Sequence, residues 1–154
     1  MTDQPGRVDE ASPILALRGV RKSFRLGDHV VEAVRDATAA LHEPGFYAIM
    51  GPSGSGKSTL LHLMAALDEP DAGEIVVAGR SITSMSEADR TRFRRRHIGI
   101  IFQQFNLIST LGALDNVTFP AMLDGVPAAD RAARARTLLE ALGLGDRMDH
   151  RPDA

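Results

Sequence analysis

The chain has 154 residues, 44% of them hydrophobic and 25% charged, which suits one compact domain. Its 18 basic and 20 acidic residues leave a formal net charge of −2, so composition offers no argument for nucleic-acid binding. It has no cysteine, no histidine pair at metal-ligand spacing, no signal-peptide core and no apolar run long enough to cross a bilayer. These features predict a soluble, cytoplasmic α/β or mixed domain.

The first third of the chain predicts a tail, a small sheet and one buried strand. Residues 1–12 are polar and acidic and are expected to form a flexible tail. Short apolar alternations at 14–34, interrupted at Gly27-Asp28, predict a small antiparallel sheet. The continuous apolar run at 46–50 predicts a buried strand, of the kind found in parallel sheets.

The rest of the chain predicts three helices and two further strands. Helices are expected from residue 57 to about 67, at 86–96 and at 128–142. Short apolar runs predict strands at 74–78 and 98–102, the second one buried. Between the last strand and the last helix lie loop-forming residues, namely Pro120, Gly125 and Pro127.

A glycine-rich motif follows the run at 46–50. Residues 51–58 read Gly-Pro-Ser-Gly-Ser-Gly-Lys-Ser, which matches G-x-x-x-x-G-K-[ST], and they are called the P-loop below. Its glycines permit the tight curve that points backbone N–H groups inward, and the following helix presents its positive end to an anion. The motif predicts phosphate binding by the following residues: Gly51, Pro52, Ser53, Gly54, Ser55, Gly56, Lys57, Ser58 and Thr59.

Three side chains at the end of the motif have distinct predicted roles. Lys57 places a mobile cation at the β- and γ-phosphates, the Ser58 hydroxyl joins the Mg²⁺ shell, and Thr59 adds a phosphate contact. The chain has only two lysines, Lys22 and Lys57, among 18 basic residues. Lys57 lies in the motif, where a point-charge donor suits a phosphate better than a planar guanidinium does.

Other classes of phosphate-binding protein fit less well. A guanine-specific GTPase needs an Asn-Lys-x-Asp motif, and the one lysine outside the P-loop lies in Arg-Lys-Ser at residues 21–23. The arginines at 92–96 could suggest the lid of a nucleotide kinase, but a solvated basic face explains them more simply. A regulatory P-loop protein unrelated to transport is a further alternative.

The sequence around the P-loop resembles the ATP-binding cassette (ABC) ATPases. The resemblance covers nearly everything from residue 14 to 154 and rests on three segments: GPSGSGKSTLL at 51–61, LDEPDAGEIVVAG at 67–79 and RRRHIGIIFQQFNLISTLGALDNV at 94–117. In detail it is most similar to the branch that serves lipoprotein release, macrolide export and cell division. It weakens the regulatory alternative, because the third segment resembles the Q-loop region of this family.

The resemblance implies an α/β fold with a P-loop NTPase core of the ABC type, a small antiparallel β subdomain and the start of a helical subdomain. We expect the nucleotide-binding core, with the P-loop and the Q-loop, at 13–105 and a partial helical subdomain at 106–154. Within the latter, Asp115-Asn116-Val117 resembles a step that we interpret as structural.

The resemblance also implies roles for two residues outside the P-loop. Phe24 matches the aromatic residue that stacks on adenine, although an ordinary core position in the small sheet would explain it equally well. Gln103 matches the Q-loop glutamine, which contacts Mg²⁺ and the attacking water. The implied cofactors are ATP and Mg²⁺, and the catalytic residues are Lys57 and Gln103.

The sequence lacks a second carboxylate site, which ATPases of this type place at the end of an apolar strand. The run at 98–102 ends in Gln103, and the strand at 74–78 is followed by Gly79. By resemblance, residues 144–154 lead into the family's signature motif, so we expect the N-terminal part of a cassette, with the C-terminal part missing. A sheet cut short in this way would expose apolar surface, which predicts marginal stability.

These observations lead to two functional hypotheses. The first is the ATPase subunit, or its N-terminal part, of an export-type ABC transporter. Its expected partners are transmembrane permease subunits and a second cassette, at the inner face of the cell membrane, with no nucleic acid. The alternative is a truncated nucleotide-binding module that does not turn nucleotide over.

Overall fold

The structure is a computed structural model that describes residues 13–152 of the chain. The predicted tail at 1–12 and the last two residues of the predicted helical subdomain lie outside the described residues. The backbone divides into two compact units, Met1–Ile98 and Gly99–Ala154. The boundary predicted between residues 105 and 106 falls within the second unit, and that division into functional domains stays a prediction.

The first unit contains the antiparallel sheet that the sequence predicts. It has four strands in the order β2-β1-β3-β4, and every neighbouring pair is antiparallel. β1 (Leu15–Leu26) and β2 (His29–Leu41) form a hairpin, and Gly27 in its turn has a φ of +60°. β3 (Ala72–Val77) lies along the other edge of β1, and β4 (Arg80–Ser81) pairs with β3. β1 is therefore hydrogen-bonded along both of its edges.

Two helices pack against this sheet. α1 (Lys57–Met64) ends slightly before the predicted limit near residue 67, and α2 (Glu87–His97) confirms the helix predicted at 86–96. Ser86 caps α2, because its side chain accepts a hydrogen bond from the Asp89 N–H at 3.2 Å. β1, α1 and β3 each contribute one fully buried side chain to the core, respectively Val20, Leu63 and Ile75.

The predictions of buried strands at 46–50 and at 98–102 are both wrong. Neither segment is a strand; Phe46 is 98% and Met50 88% exposed, and Ile101 is fully exposed. A strand needs a neighbour that satisfies its backbone N–H and C=O groups, and within residues 13–152 neither segment has one. The apolar composition of a segment does not reveal whether such a neighbour is present. Marginal stability, which such exposure favours, stays a prediction.

Within its described residues, the second unit contains two α-helices, α3 (Ala113–Leu123) and α4 (Ala128–Ala141), and a short 3-10 helix at Gly145–Arg147. α4 confirms the helix predicted at 128–142 and buries Ala135 and Leu139. The sequence pattern did not predict α3, because Pro120 lies inside it and proline disfavours a helix interior. Across the described part of the chain, no helix is both long and apolar enough to span a membrane.

Candidate functional site

The P-loop forms an irregular segment directly before α1. Gly54 and Gly56 have φ values of +78° and +85°, in the left-handed region that favours glycine. Gly56 also lies against β2, because a Cβ at this position would be 2.0 Å from the carbonyl oxygen of Ala33. The structure therefore requires glycine at this position for two reasons, the backbone conformation and the close approach to β2.

The N-terminus of α1 has no capping side chain. Its N-cap residue is Gly56, and the first turn contains no acidic residue. The first N–H groups of a helix have no acceptor within the helix, and they form the positive end of the helix dipole. An anion is the ligand that these donors favour.

Lys57 folds back over the P-loop. Its ammonium donates to the carbonyl oxygens of Gly51 at 2.9 Å and Pro52 at 2.7 Å, and lies 3.5 Å from the Ser55 hydroxyl oxygen. These acceptors are neutral, and a phosphate oxygen is a stronger acceptor for a charged donor. The loop therefore holds the Lys57 ammonium beside the N-terminus of α1. A phosphate bound there would accept hydrogen bonds both from this ammonium and from the free N–H groups of the helix.

A pocket of about 470 Å³ opens beside the P-loop and is lined by the loop, α1 and β2. Four consecutive residues of β2 contribute to its wall: Glu32, Ala33, Val34 and Arg35. Glu32 pairs with Arg35, the two charged groups being 3.2 Å apart. The chain fold thus supplies a second wall that the motif itself does not encode.

The hydroxyl residues of the motif lie at the same helix end as Lys57. Ser58 is exposed and Thr59 half-buried, both in the first turn of α1. Within residues 13–152 there is no group of three acidic or histidine side chains that could hold a metal ion by themselves. A Mg²⁺ ion at Ser58 would therefore take most of its oxygen ligands from phosphate and water, as this ion commonly does.

Phe24 lies near the end of β1, close in the sheet to the pocket wall. Its register partner on β2 is Val31, and the neighbouring pair joins Ser23 to the pocket residue Glu32. The Phe24 residue is 40% exposed, and the Lys22 ammonium lies over its ring at 5.4 Å from the centroid. Phe24 is therefore not a buried core residue, and a base could reach its ring.

Gln103 belongs to the second unit, where it is exposed in a bend just after the segment 98–102. Its predicted role beside the P-loop residues stays a prediction.

Several contacts at the C-terminal end of α1, opposite the P-loop, were not predicted from the sequence. The carbonyl oxygen of Ala66, just after α1, accepts a hydrogen bond from the Arg94 guanidinium, and Arg90 pairs with Glu69. Lys22 also binds this region, at Asp68. Each contact joins residues far apart in the chain, so no local pattern could indicate it.

Known proteins are similar to this chain in sequence and in fold. Residues 34–154 match the family model described as "ABC transporter". An uncharacterized ABC transporter ATP-binding protein of Thermotoga maritima is 44% identical over 140 residues, which cover 91% of this chain and 60% of that protein. The macrolide export ATP-binding/permease protein MacB of Brucella abortus is 43% identical over 141 residues, which cover 92% of this chain and 22% of that protein.

A solved structure has the same fold. It is described as a dimeric post-hydrolysis state of the ATP-binding cassette MJ0796 bound to ADP and Pi, and it matches 90% of this chain with a TM-score of 0.83 and 34% identity. The chain spans 62% of the length of that cassette, so it covers less than two thirds of each of these proteins. The family match over 34–154 and the shared cassette fold show that this chain belongs to the ABC transporter family.

Proposed function

We propose that this chain is the ATP-binding part of an export-type ABC transporter and that it couples MgATP binding and hydrolysis to a membrane partner. The observation that carries the proposal is the position of Lys57, inside the P-loop and beside the uncapped N-terminus of α1. A triphosphate placed there receives backbone N–H donors, the helix dipole and a mobile cation together.

We infer the remaining nucleotide contacts from the resemblance to the ABC ATPases. Lys57 binds the β- and γ-phosphates, and Phe24 stacks on the adenine ring. Ser58 and Gln103 hold Mg²⁺, and Gln103 also senses the γ-phosphate. The ion neutralises the negative charge of the phosphates. The open helix end, the exposed Ser58 and the partly exposed Phe24 support the roles of Lys57, Ser58 and Phe24. The role of Gln103 rests on the resemblance of residues 94–117 to the Q-loop region.

We infer that the partners are transmembrane permease subunits and a second cassette. The MacB relative is described as an ATP-binding/permease protein, which supports a membrane partner. The related cassette MJ0796 is described as a dimer bound to ADP and Pi, which supports pairing of two cassettes. Such a chain would lie at the cytoplasmic face of the membrane, held there by the permease.

The alternative is a module that binds nucleotide without turning it over. Among the described residues that line the pocket, the one carboxylate is Glu32, and it is paired with Arg35. A carboxylate engaged by a guanidinium is a poor base for activating water, since its charge is already partly neutralised. This observation favours binding over turnover for the chain by itself.

The proposal is tested with the 154-residue chain and the variant Lys57→Met. Isothermal titration calorimetry with MgATP measures binding, and phosphate release measures turnover. We expect Lys57→Met to weaken MgATP binding by at least about tenfold, because it removes charged hydrogen bonds to phosphate. The charge-matched control is Arg80→Met in β4, an exposed position outside the pocket lining, which should bind like the wild type.

Three results separate the hypotheses. Phosphate release that disappears in Lys57→Met supports the ATPase, whereas Lys57-dependent binding without release supports the binding module. Folded chain that binds no MgATP, or binds it equally well with Met at position 57, overturns both.

A further inference from the structure

Lys22 is held by a network outside the P-loop. Its ammonium donates to Asp68 Oδ1 at 2.9 Å and to the Glu69 carbonyl oxygen at 2.6 Å, and it lies 3.9 Å from Asp71 Oδ1. The Lys22 side chain is only 13% exposed. An ammonium with two anchored hydrogen bonds and little solvent contact has little freedom to move.

The segment at 68–71 is fastened to β1 on both sides of Lys22. The Asp71 N–H donates to the Arg21 carbonyl oxygen at 2.8 Å, and the Ser23 N–H donates to Asp71 Oδ2 at 2.7 Å. This segment follows α1, whose opposite end forms the phosphate site. Lys22 is therefore held by a segment that follows α1 in the chain and is itself hydrogen-bonded to β1.

The same ammonium contacts Phe24. Side chains two residues apart on a strand lie on the same face, and the Lys22 Nζ is 5.4 Å from the Phe24 ring centroid. A cation at this distance from an aromatic centroid is attracted to the ring, more strongly when it is shielded from water. The Phe24 residue is nevertheless 40% exposed, so the ammonium restrains the ring without shielding the whole side chain from solvent.

We propose that Lys22 is a positioning residue of the base subsite: anchored on the 68–71 segment, its ammonium holds the Phe24 ring in the orientation that stacks on a nucleobase. The inference rests on the proposed function, in which Phe24 is the stacking residue. Lys22 then contributes to affinity for the base and not to affinity for the phosphates. Of the two lysines in the chain, Lys57 serves the phosphates and Lys22 serves the base.

The test separates base binding from phosphate binding. Dissociation constants for MgATP and for magnesium tripolyphosphate are measured by calorimetry. The MgATP constant divided by the tripolyphosphate constant reports the contribution of the nucleoside, and this ratio rises when base binding is lost. Phe24→Leu should weaken MgATP binding roughly tenfold and leave tripolyphosphate binding unchanged, because it removes the stacking face. Lys22→Met should weaken MgATP binding about threefold, also with tripolyphosphate unchanged.

The double variant and a control complete the experiment. In the Phe24→Leu background, Lys22→Met should have no further effect on MgATP, since the ring it positions is gone. The matched control is Arg18→Met, which removes another cation of β1, paired with Glu74 at 2.6 Å, and should leave both ligands unaffected. If Lys22→Met does not fold, Asp68→Asn loosens the ammonium from the other side and should shift the ratio in the same direction.

Each other outcome overturns the inference in a recognisable way. Equal weakening of both ligands by Lys22→Met assigns Lys22 to the general structure of the site. If Phe24→Leu raises the ratio and Lys22→Met leaves it unchanged, the ring needs no positioning by Lys22. An unchanged ratio in Phe24→Leu would show that Phe24 does not stack on the base. The phosphate site is tested separately, by Lys57→Met.

Discussion

Two glycines of the P-loop have nearly the same backbone conformation and different surroundings. The φ of Gly54 is +78° and that of Gly56 is +85°, so an alanine at either position would pay the same backbone strain. A Cβ on Gly54 meets nothing within 4 Å, whereas a Cβ on Gly56 would lie 2.0 Å from the Ala33 carbonyl oxygen. The pair thus separates the strain of the loop from its contact with β2.

We predict that Gly54→Ala lowers the free energy of unfolding by about 1 kcal/mol, the cost of a left-handed alanine. Gly56→Ala should cost a further 1–3 kcal/mol or so, because either the loop or β2 must move. Urea unfolding followed by circular dichroism measures both values. Equal losses in the two variants would contradict the close approach to Ala33.

At the level of single residues, sequence reasoning could predict a phosphate site because the parts of the motif are contiguous. The spacing of the glycines, Lys57 and Ser58 is a local property of the chain. The contact of Gly56 with Ala33 and the anchoring of Lys22 on Asp68 join distant segments, and only the folded chain brings them together. The candidate phosphate-binding residues could thus be proposed from the sequence, whereas the long-range contacts that hold them could not.

Among the helices, α3 begins at a loop that one amide side chain holds together. The Asn116 side chain accepts from the Ile108 N–H at 2.8 Å and donates to the carbonyl oxygens of Ile108, Leu111 and Gly112 at 3.0–3.1 Å. A single amide therefore binds the loop at 108–112 to the first turn of α3. This arrangement agrees with the structural role expected for the 115–117 step.

We predict that Asn116→Asp destabilises the start of α3 by about 2 kcal/mol, because a carboxylate cannot donate to these carbonyl oxygens. Hydrogen exchange of the peptide covering 108–123, read by mass spectrometry, should become faster. Asp115→Asn, on the exposed neighbouring residue, is the control and should change exchange little. Unchanged protection in Asn116→Asp would show that the backbone alone holds the loop.

Helices and antiparallel strands were predicted more reliably than the apolar runs. α4 is indicated by the helical spacing of its apolar residues and the β1–β2 hairpin by its turn at Gly27, and α2 begins at the Ser86 cap. The runs at 46–50 and 98–102 have the composition of buried strands and lack a hydrogen-bonded neighbour among residues 13–152. Hairpins carry their own partner in the sequence, whereas a parallel strand depends on another part of the chain.

For the molecule as a whole, local contacts in the first unit bias its carboxylates toward the charged form. Burial alone would raise the pKa of Asp68, but hydrogen bonds from Lys22 and from the Glu69 N–H outweigh it, and this pKa is lowered. Hydrogen bonds also lower the pKa of three further carboxylates: Glu74 beside Arg18, Glu87 beside Arg90 and Asp89 beside Ser86. The folded state therefore holds these protons less tightly than the unfolded chain does.

This difference determines how stability depends on pH. Carboxylates of the unfolded chain take up protons near their ordinary pKa values, about 3.9 for Asp and 4.3 for Glu. Because the folded-state values are lower, their contribution is fully present above that range and is lost as the pH falls through the folded-state pKa values. We therefore predict that the urea midpoint of the chain falls between pH 4.5 and pH 3, within about this range.

The variant Asp68→Asn measures the share of one group in that loss. At pH 7 it should lower the free energy of unfolding by about 1 kcal/mol, since a partly exposed charged hydrogen bond is removed. Its fall in urea midpoint on acidification should then be smaller than that of the wild type, because one of the linked protonations is gone. Asp28→Asn, in the exposed β1–β2 turn, should follow the wild-type curve. An acid-induced fall in Asp68→Asn as large as in the wild type would mean that the Lys22–Asp68 contact adds nothing to stability. The anchoring of Lys22 would then rest on the Glu69 carbonyl oxygen and the Asp71 carboxylate.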